Sequence, residues 1–305
     1  MDFLIPTISI IGFGETGSLI ASLINQSRRN LSINIMDPSD NIEGRLLDMK
    51  HAGVPQNNKI QLNNTELLSK SQLIFYTAGV RGEPGENRMK RAFDNLNIIE
   101  DVFDGTELLE SALIISISNP VEATAQWIHE TTNEKIKIIS TGTLLDTFRL
   151  QNILSTHFDE PLSAVETMVA GEHGTKMFPI WSQTKIRDKH ISSLASEEQL
   201  EKFTLELKAS ATKIRGTEKA TKYGVAQAAI FLAKHYFSQE EVILPCAFNA
   251  KNFIGKDIFV NWPCRLLKQH ITPARIKLNS KEKILWDLAL ESIEKTTYLK
   301  PSKET

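Results

Sequence analysis

The chain reads as an α/β protein, a doubly wound parallel sheet followed by an α+β unit, and three observations predict it. Short apolar segments alternate with helical patterns up to Gly142, a glycine-rich turn joins the first strand to the first helix, and beyond His173 longer helices replace the alternation. At 305 residues there is length for two domains of about 150 residues each. The expected division is 1–142, carrying the parallel sheet, and 143–305, carrying the α+β unit.

Composition excludes several classes. A formal net charge of -2 and a pI near 6.4 provide no field that would draw a polyanion, so nucleic-acid binding is not expected. Cys246 and Cys264 are the only cysteines; they have neither metal-ligand nor disulfide-framework spacing, so no metal site and a reducing compartment are expected. Apolar runs such as Ala112 to Ile117 are strand-length, and Met1-Asp2-Phe3 lacks the basic opening of a signal peptide. A cytoplasmic protein without a membrane span follows.

In chain order, Thr7 to Ile11 is a buried strand running into Gly12-x-Gly14-x-x-Gly17, and Leu19, Ile20, Leu23 and Ile24 pattern the helix after it. Leu31 to Met36 is a second strand ending in Asp37. Together these parts make a dinucleotide site of the Rossmann type: a tight turn, close approach of backbone to a pyrophosphate, a helix N-terminus facing the negative charge, and a carboxylate for the ribose hydroxyls of NAD. A glycine turn that only packs a helix on a sheet is the alternative. Gly44 to His51 suits a helix, and Gln72 to Ala78 is a strand ending at Ala78-Gly79. Val80 to Arg88 is polar and rich in glycine; it reads equally as a loop that closes over a ligand or as a solvated turn, and Arg81 and Arg88 matter only in the first case.

A helix from about Met89 to Phe103 leads to the strand Leu113 to Ser118, then Asn119-Pro120, which presents an amide at the strand's carboxyl end. Lys137 to Gly142 is again strand then glycine. The following helix carries Asp146 and Arg149 three positions apart on one face, among Leu144, Leu145 and Phe148; the reading is either a plain intrahelical ion pair or part of a site. Met168 to Gly174 is an apolar strand ending in Gly171-Glu172-His173-Gly174, which sets an imidazole at the rim of a cavity and makes His173 the candidate proton-transfer group. A loop histidine satisfying a hydrogen bond is the other reading.

Beyond it, Ser196-Glu-Glu-Gln199 is a capping-box start, and Leu200, Phe203, Leu207, Ala211 and Ile214 form the stripe of a long helix that Gly216 is expected to interrupt. A second helix follows Thr221 and Tyr223. Val242 to Ala247 and Ile258 to Trp262 read as antiparallel strands, and Ile284, Leu285, Leu288, Ala289 and Ile293 pattern a closing amphipathic helix.

Taken together, Gly12-x-Gly14-x-x-Gly17 with Asp37, Ala78-Gly79 before a loop ending in Arg88, Ser118-Asn119-Pro120, Leu145-Asp-Thr-Phe-Arg149 and Gly171-Glu-His-Gly174 resemble the lactate and malate dehydrogenase family in order and over nearly the whole chain. The resemblance implies NAD as cofactor, with Gly12, Gly14, Gly17, Asp37, Ala78, Gly79 and Asn119 around it, and interconversion of an L-2-hydroxy acid and its 2-oxo acid. It implies that His173 exchanges the proton, Asp146 orients His173, Arg149 takes the substrate carboxylate through two points, Asn119 bonds near the substrate oxygen, and Arg88 is carried in by the loop to polarise the carbonyl.

Departures from the family pattern narrow the expectation. The substrate-selecting loop position, typically glutamine in lactate enzymes and arginine in malate enzymes, aligns with Gly82. Without a selector arginine a second substrate carboxylate lacks a partner unless Arg81 bends in. Gly171-Glu172-His173 and Ala220-Thr221-Lys222-Tyr223-Gly224, with Thr221 facing the substrate, lean to the lactate type. A neutral 2-oxo acid is therefore expected, with malate oxidation or a catalytically silent NAD-binding homologue as the alternatives. The positions that bind fructose 1,6-bisphosphate in allosteric relatives look like Gln151 and Glu166, so no activation by that ligand is expected. The segment before Thr7 is too short for the N-terminal arm that clasps vertebrate tetramers, which makes a homodimer the expected assembly, with a homotetramer open.

Overall fold

The computed structural model describes residues 7–27, 30–80, 88–218 and 221–298. Its first half is built on a parallel sheet whose inner strands are buried on both faces. β1 (Thr7–Ile11), β2 (Ser32–Met36), β3 (Lys59–Leu62), β4 (Leu73–Tyr76), β5 (Leu113–Ser116) and β6 (Lys137–Ser140) lie parallel in the order β3-β2-β1-β4-β5-β6. Ile8, Ile10, Phe75 and Ile115 face one side with Ile20 and Ile24, while Ile11, Ile74, Tyr76 and Ile114 face the other with Ile99, Phe103 and Trp127. Burial on both sides is why β4 and β5 are near-continuous apolar runs, whereas β3, at the sheet edge, is exposed at Lys59, Gln61 and Leu62. The helices between them are α1 (Glu15–Ser27), α2 (Glu43–Gly53), the short α3 (Thr65–Ser69), α4 (Arg88–Phe103) and α5 (Val121–Thr131). Strand order reverses between β1 and β4, and the crevice at such a reversal is where a doubly wound sheet binds its ligand.

The second half continues through α6 (Leu144–Phe158), β7 (Val165–Glu166), β8 (Val169–Gly171), β9 (Met177–Pro179), β10 (Lys185–Ile186), β11 (Lys189–His190), α7 (Glu197–Thr217), α8 (Tyr223–Tyr236), β12 (Val242–Asn249), α9 (Lys251–Ile254), β13 (Phe259–Leu267), β14 (His270–Pro273) and α10 (Ser280–Thr297). The expected antiparallel pair is β12 with β13, in register from Val242↔Leu266 to Asn249↔Phe259. It joins the parallel sheet through one residue pair, Ala247↔Ser140, and reaches β8 through another, Asn261↔Gly171. The result is one continuous mixed sheet, while β11, β10 and β7 form a separate antiparallel one.

Three details differ from the sequence reading. β3, β7, β9, β10, β11, β14, α3 and α9 were not anticipated, because such short elements carry too few residues for a periodicity to register. α7 has its capping box at Ser196 and Gln199, but it runs through Gly216 to Thr217, and Glu218 still donates to Ile214 O at 2.8 Å. One glycine costs a helix only about 1 kcal/mol against alanine, and here it falls in the last turn. On α10, Ala289 and Ile293 are buried as expected, whereas Ile284, Leu285 and Leu288 stay exposed, so the inward stripe is narrower than the sequence pattern. Among the described residues no helix is long and apolar enough to cross a membrane, and no cluster of metal-ligating side chains occurs.

Candidate active site

At the switch point, the turn after β1 is fixed by contacts only glycine allows. Gly12 has φ +89°, and a Cβ there would come within 2.7 Å of Ala78 N; one on Gly17 would stand 2.0 Å from Gly12 O. Asp37, just past β2, accepts the Phe13 N–H through Oδ2 at 2.6 Å and the Ser39 N–H through Oδ1 at 2.9 Å. Arg45 secures the same turn from α2, donating to Phe13 O at 2.7 Å with its guanidinium 5.9 Å from the Phe13 ring centroid. By contrast, Gly14 faces open space. An amide-lined helix N-terminus opening outward beside a carboxylate matches a pyrophosphate and a ribose diol, so the residues present fit a dinucleotide. Glu15, an acid in the first turn of α1, is met by Lys222 Nζ at 3.2 Å, which offsets its charge beside that anion site.

Across the crevice, α6 and the end of β8 bring three predicted residues into direct contact. Asp146, 1% exposed, accepts from His173 Nδ1 at 2.7 Å through Oδ2 and from Arg149 Nη1 at 2.9 Å through Oδ1. The relay is held by backbone: Thr143 Oγ1 donates to Val169 O at 2.6 Å, and Val169 N–H donates to Thr147 Oγ1 at 3.0 Å, which ties β8 to the first turn of α6. Burial pushes the Asp146 carboxyl up, but the charge and hydrogen bond of His173, with those of Arg149, outweigh it and hold Asp146 below the usual carboxylate range. Burial opposes the His173 imidazolium in turn. The charge and hydrogen bond of Asp146, aided by the charge of Glu122 and opposed by Arg149, hold it above the ordinary histidine value. His173 retains 24% exposure, enough for a ligand to reach it.

These residues line a cleft of about 720 Å³ together with Gly79, Ser118, Asn119 and Lys208. Ser118 Oγ donates to Ala78 O at 2.6 Å, fixing the ends of β4 and β5 against one another. Thr221 lies half-buried before α8 and is not among the described residues lining the cleft. Arg81 and Gly82 fall outside the described residues, as does the side chain of Arg88, whose backbone opens α4. Gln151 and Glu166 face a separate groove of about 1100 Å³ behind α6, where Gln151 donates to Leu162 O and Val165 O.

Sequence reasoning missed four polar residues. Asn95 of α4 is 3% exposed and accepts the Val80 N–H at 2.8 Å. Thr77 donates to Gly12 O at 2.8 Å. Glu122 accepts the His173 backbone N–H at 2.6 Å, and Asn261 donates to both Glu122 and Gly171 O. The available signal was a polar side chain at a position patterned for the core, as Asn261 is between Val260 and Trp262.

The fold and cleft define a dinucleotide-dependent α/β protein, and comparison with known proteins names its family. Residues 7–140 match the lactate/malate dehydrogenase NAD binding domain, and residues 143–303 match the lactate/malate dehydrogenase alpha/beta C-terminal domain. An L-lactate dehydrogenase of Clostridium botulinum is 28% identical over 269 residues, covering 84% of this chain and 85% of that protein, and one of Lactococcus lactis subsp. cremoris is 28% identical over 270 residues with the same coverage. Among solved structures, a lactate dehydrogenase from a Medee basin deep-sea metagenome library superposes with a TM-score of 0.86 at 25% identity, covering 97% of this chain and 98% of that one. Cryptosporidium parvum malate dehydrogenase does so with a TM-score of 0.85 at 25% identity, covering 95% and 97%. The chain belongs to the lactate/malate dehydrogenase family. It is an NAD-dependent L-2-hydroxy acid oxidoreductase.

Proposed function

We propose that the chain interconverts a neutral L-2-hydroxy acid, lactate or a bulkier analogue, and the corresponding 2-oxo acid, with His173 exchanging the proton. The observation that carries this reading is the Arg149–Asp146–His173 relay opening into the cleft beside Asn119. In oxidation the neutral imidazole takes the hydroxyl proton as the C–H hydride leaves; in reduction the imidazolium returns a proton to the carbonyl oxygen. NAD, when bound, accepts or supplies that hydride. Arg149 offers a planar fork to the substrate carboxylate, and Asp146 stabilises the imidazolium formed in oxidation. Asn119 bonds near the reacting oxygen, and Arg88 polarises it when the loop closes. Thr221 faces the substrate side chain in the closed form.

The preference for a neutral substrate rests on Gly82, which gives a second carboxylate no partner, and on relatives named as L-lactate dehydrogenases. We further propose a division into domains at 142/143, a cytoplasmic location, and a homodimer or homotetramer without activation by fructose 1,6-bisphosphate. The polar Gln151 and acidic Glu166 support the last point. The test is NADH oxidation by the purified protein with pyruvate, oxaloacetate, phenylpyruvate and a branched 2-oxo acid, with and without fructose 1,6-bisphosphate, and His173→Asn as control. Turnover of a neutral acid that disappears in His173→Asn is expected. A clear preference for oxaloacetate would sink the substrate assignment, and NADH binding without turnover of any acid would sink the reaction.

A further inference from the structure

The turn that presents His173 is held from behind as well as from the ring. Gly171 ends β8 at φ +94°, and a Cβ there would come within 2.6 Å of Lys176 O, so the strand leaves through a conformation open only to glycine. Behind this turn Glu122, in the first turn of α5 two residues after Pro120, is 4% exposed. Its Oε1 accepts the His173 backbone N–H at 2.6 Å and an N–H of the fully buried Asn261, whose Nδ2 also donates to Gly171 O at 2.7 Å. The carbonyl of Gly171 and the amide of His173 are thus clamped from α5 and β13, two elements that take no other part in the relay.

The charged groups around the imidazole come from four sides. α6 supplies Asp146 and Arg149, and α5 supplies Glu122. The loop itself carries Glu172, which accepts from Ser292 Oγ at 3.0 Å and from the Lys176 N–H at 3.3 Å, and Lys176 itself. From α7, Lys208 lines the cleft with Nζ on Thr175 O at 3.0 Å. Of these, Glu122 alone acts on His173 through its main chain.

We propose that Glu122 is a positioning residue for His173: its carboxylate fixes the backbone of the turn and sets a second negative charge behind the imidazole, so that Asp146 governs the ring from one side and Glu122 the main chain from the other. This rests on the reading of His173 as the acid/base. Burial raises the Glu122 carboxyl above the usual glutamate range, and the nearby Glu172 adds to this, while the His173 amide and imidazolium oppose it. Glu122 therefore loses its charge at a higher pH than surface carboxylates do. Below that pH the imidazole keeps only Asp146 as a strong anionic neighbour.

The decisive experiment is ¹H–¹⁵N NMR of the ligand-free protein titrated over about pH 4 to 9, a range spanning the carboxyl and imidazole values. In the wild-type chain the His173 backbone amide should show a carboxyl step above the ordinary glutamate range, then the imidazole step. Glu122→Gln keeps an acceptor but removes the charge: the carboxyl step should vanish and the imidazole midpoint fall by about one unit. Glu122→Asp keeps the charge one methylene further back. It should restore the midpoint toward wild type while kcat drops about ten- to a hundredfold with little change in KM, because misplacement taxes the reacting geometry more than binding. An imidazole midpoint in Glu122→Gln that coincides with wild type overturns the proposal, as does a wild-type His173 amide with no carboxyl step, which decides the matter even where the variants fail to fold. None of the NMR readouts needs turnover. Failure of the acid/base reading would show separately, as no NADH oxidation by the wild type with any 2-oxo acid.

Discussion

Replacing Asp146 by asparagine tests the relay where its geometry is most exacting. The side chains are nearly isosteric, so the fold should survive, but the hydrogen bonding cannot. Asp146 accepts at both oxygens, from Arg149 through one and from His173 through the other. An asparagine has a single oxygen, and the permanently charged Arg149 claims it, which turns the amide NH₂ toward His173 Nδ1. Nδ1 must then accept, and the neutral ring carries its proton on the nitrogen that has to take the substrate proton, so oxidation is blocked by tautomer. Reduction suffers through charge. An opposite charge at this range is worth about 1–3 pKa units, or about 1.4–4 kcal/mol, and its loss leaves burial and Arg149 to depress the imidazolium against the charge of Glu122 alone. Above the wild-type midpoint the protonated fraction therefore falls about ten- to a thousandfold. The assay is initial rate against pH in both directions. NADH oxidation should lose its alkaline limb at a pH lower by about 1–3 units, hydroxy-acid oxidation should fall at every pH by at least about a hundredfold, and NADH affinity should hold within about twofold. An unchanged alkaline limb together with oxidation rates near wild type would refute the orienting role of Asp146.

Arg149→Lys keeps the charge but loses the planar fork, so KM for the 2-oxo acid should rise and kcat/KM fall by about thirty- to a thousandfold, a loss of about 2–4 kcal/mol; equal kcat/KM in steady-state kinetics would remove Arg149 from the carboxylate. Gly14→Ala meets no atom within 4 Å and should leave the melting temperature unchanged while weakening NADH binding in a fluorescence titration. Gly17→Ala places a Cβ 2.0 Å from Gly12 O and should lower the melting temperature markedly; equal stability of the two variants would contradict the turn as drawn. The ionisation of His173 links to stability with a definite sign. Its folded value is raised, so its contribution is complete below the unfolded histidine value of about 6.5 and is lost as pH rises through the folded value. Asp146 is depressed and contributes above about 3.9, its share being lost as pH falls through its folded value. Denaturant melts should thus give a larger difference between about pH 6 and pH 8.5 in the wild type than in His173→Asn, and identical differences would show the pair to be energetically silent.

What could be read in the sequence was what is local. The glycine turn, Asp37 at a strand end, the Asp146 and Arg149 spacing and the glycine-flanked His173 each declare themselves within a few residues, because each answers to one backbone conformation or one turn of helix. Asp146 and His173, 27 positions apart, came together through family resemblance, not through periodicity. Glu122 stayed hidden for a physical reason: its partners are 51 and 139 positions away, and a glutamate in the first turn of a helix is also what a solvated N-terminus looks like. Asn261 was legible in principle, as an amide in a strand otherwise patterned for burial, but its use depends on a contact that one residue pair creates.

That pair shows how the two halves of the chain share one site. The carboxyl ends of β5 and β6 lead into α5 and α6 and so deliver Asn119, Glu122, Asp146 and Arg149, while His173 arrives from β8, which pairs with neither strand. Position is carried between them by β12 and β13, an eight-pair ribbon that meets β6 at Ser140 and β8 at Gly171. A long antiparallel ribbon resists shear far better than a single pair does, so the weak points of the frame are its two end contacts. The contact at β8 is reinforced by side chains: Asn261 bridges Gly171 O and Glu122, and Thr143 and Thr147 at the start of α6 anchor Val169, two residues before Gly171. The buried polar groups of this region thus lie where the sheet is least able to fix the distance between His173 and Asp146 by strand pairing alone.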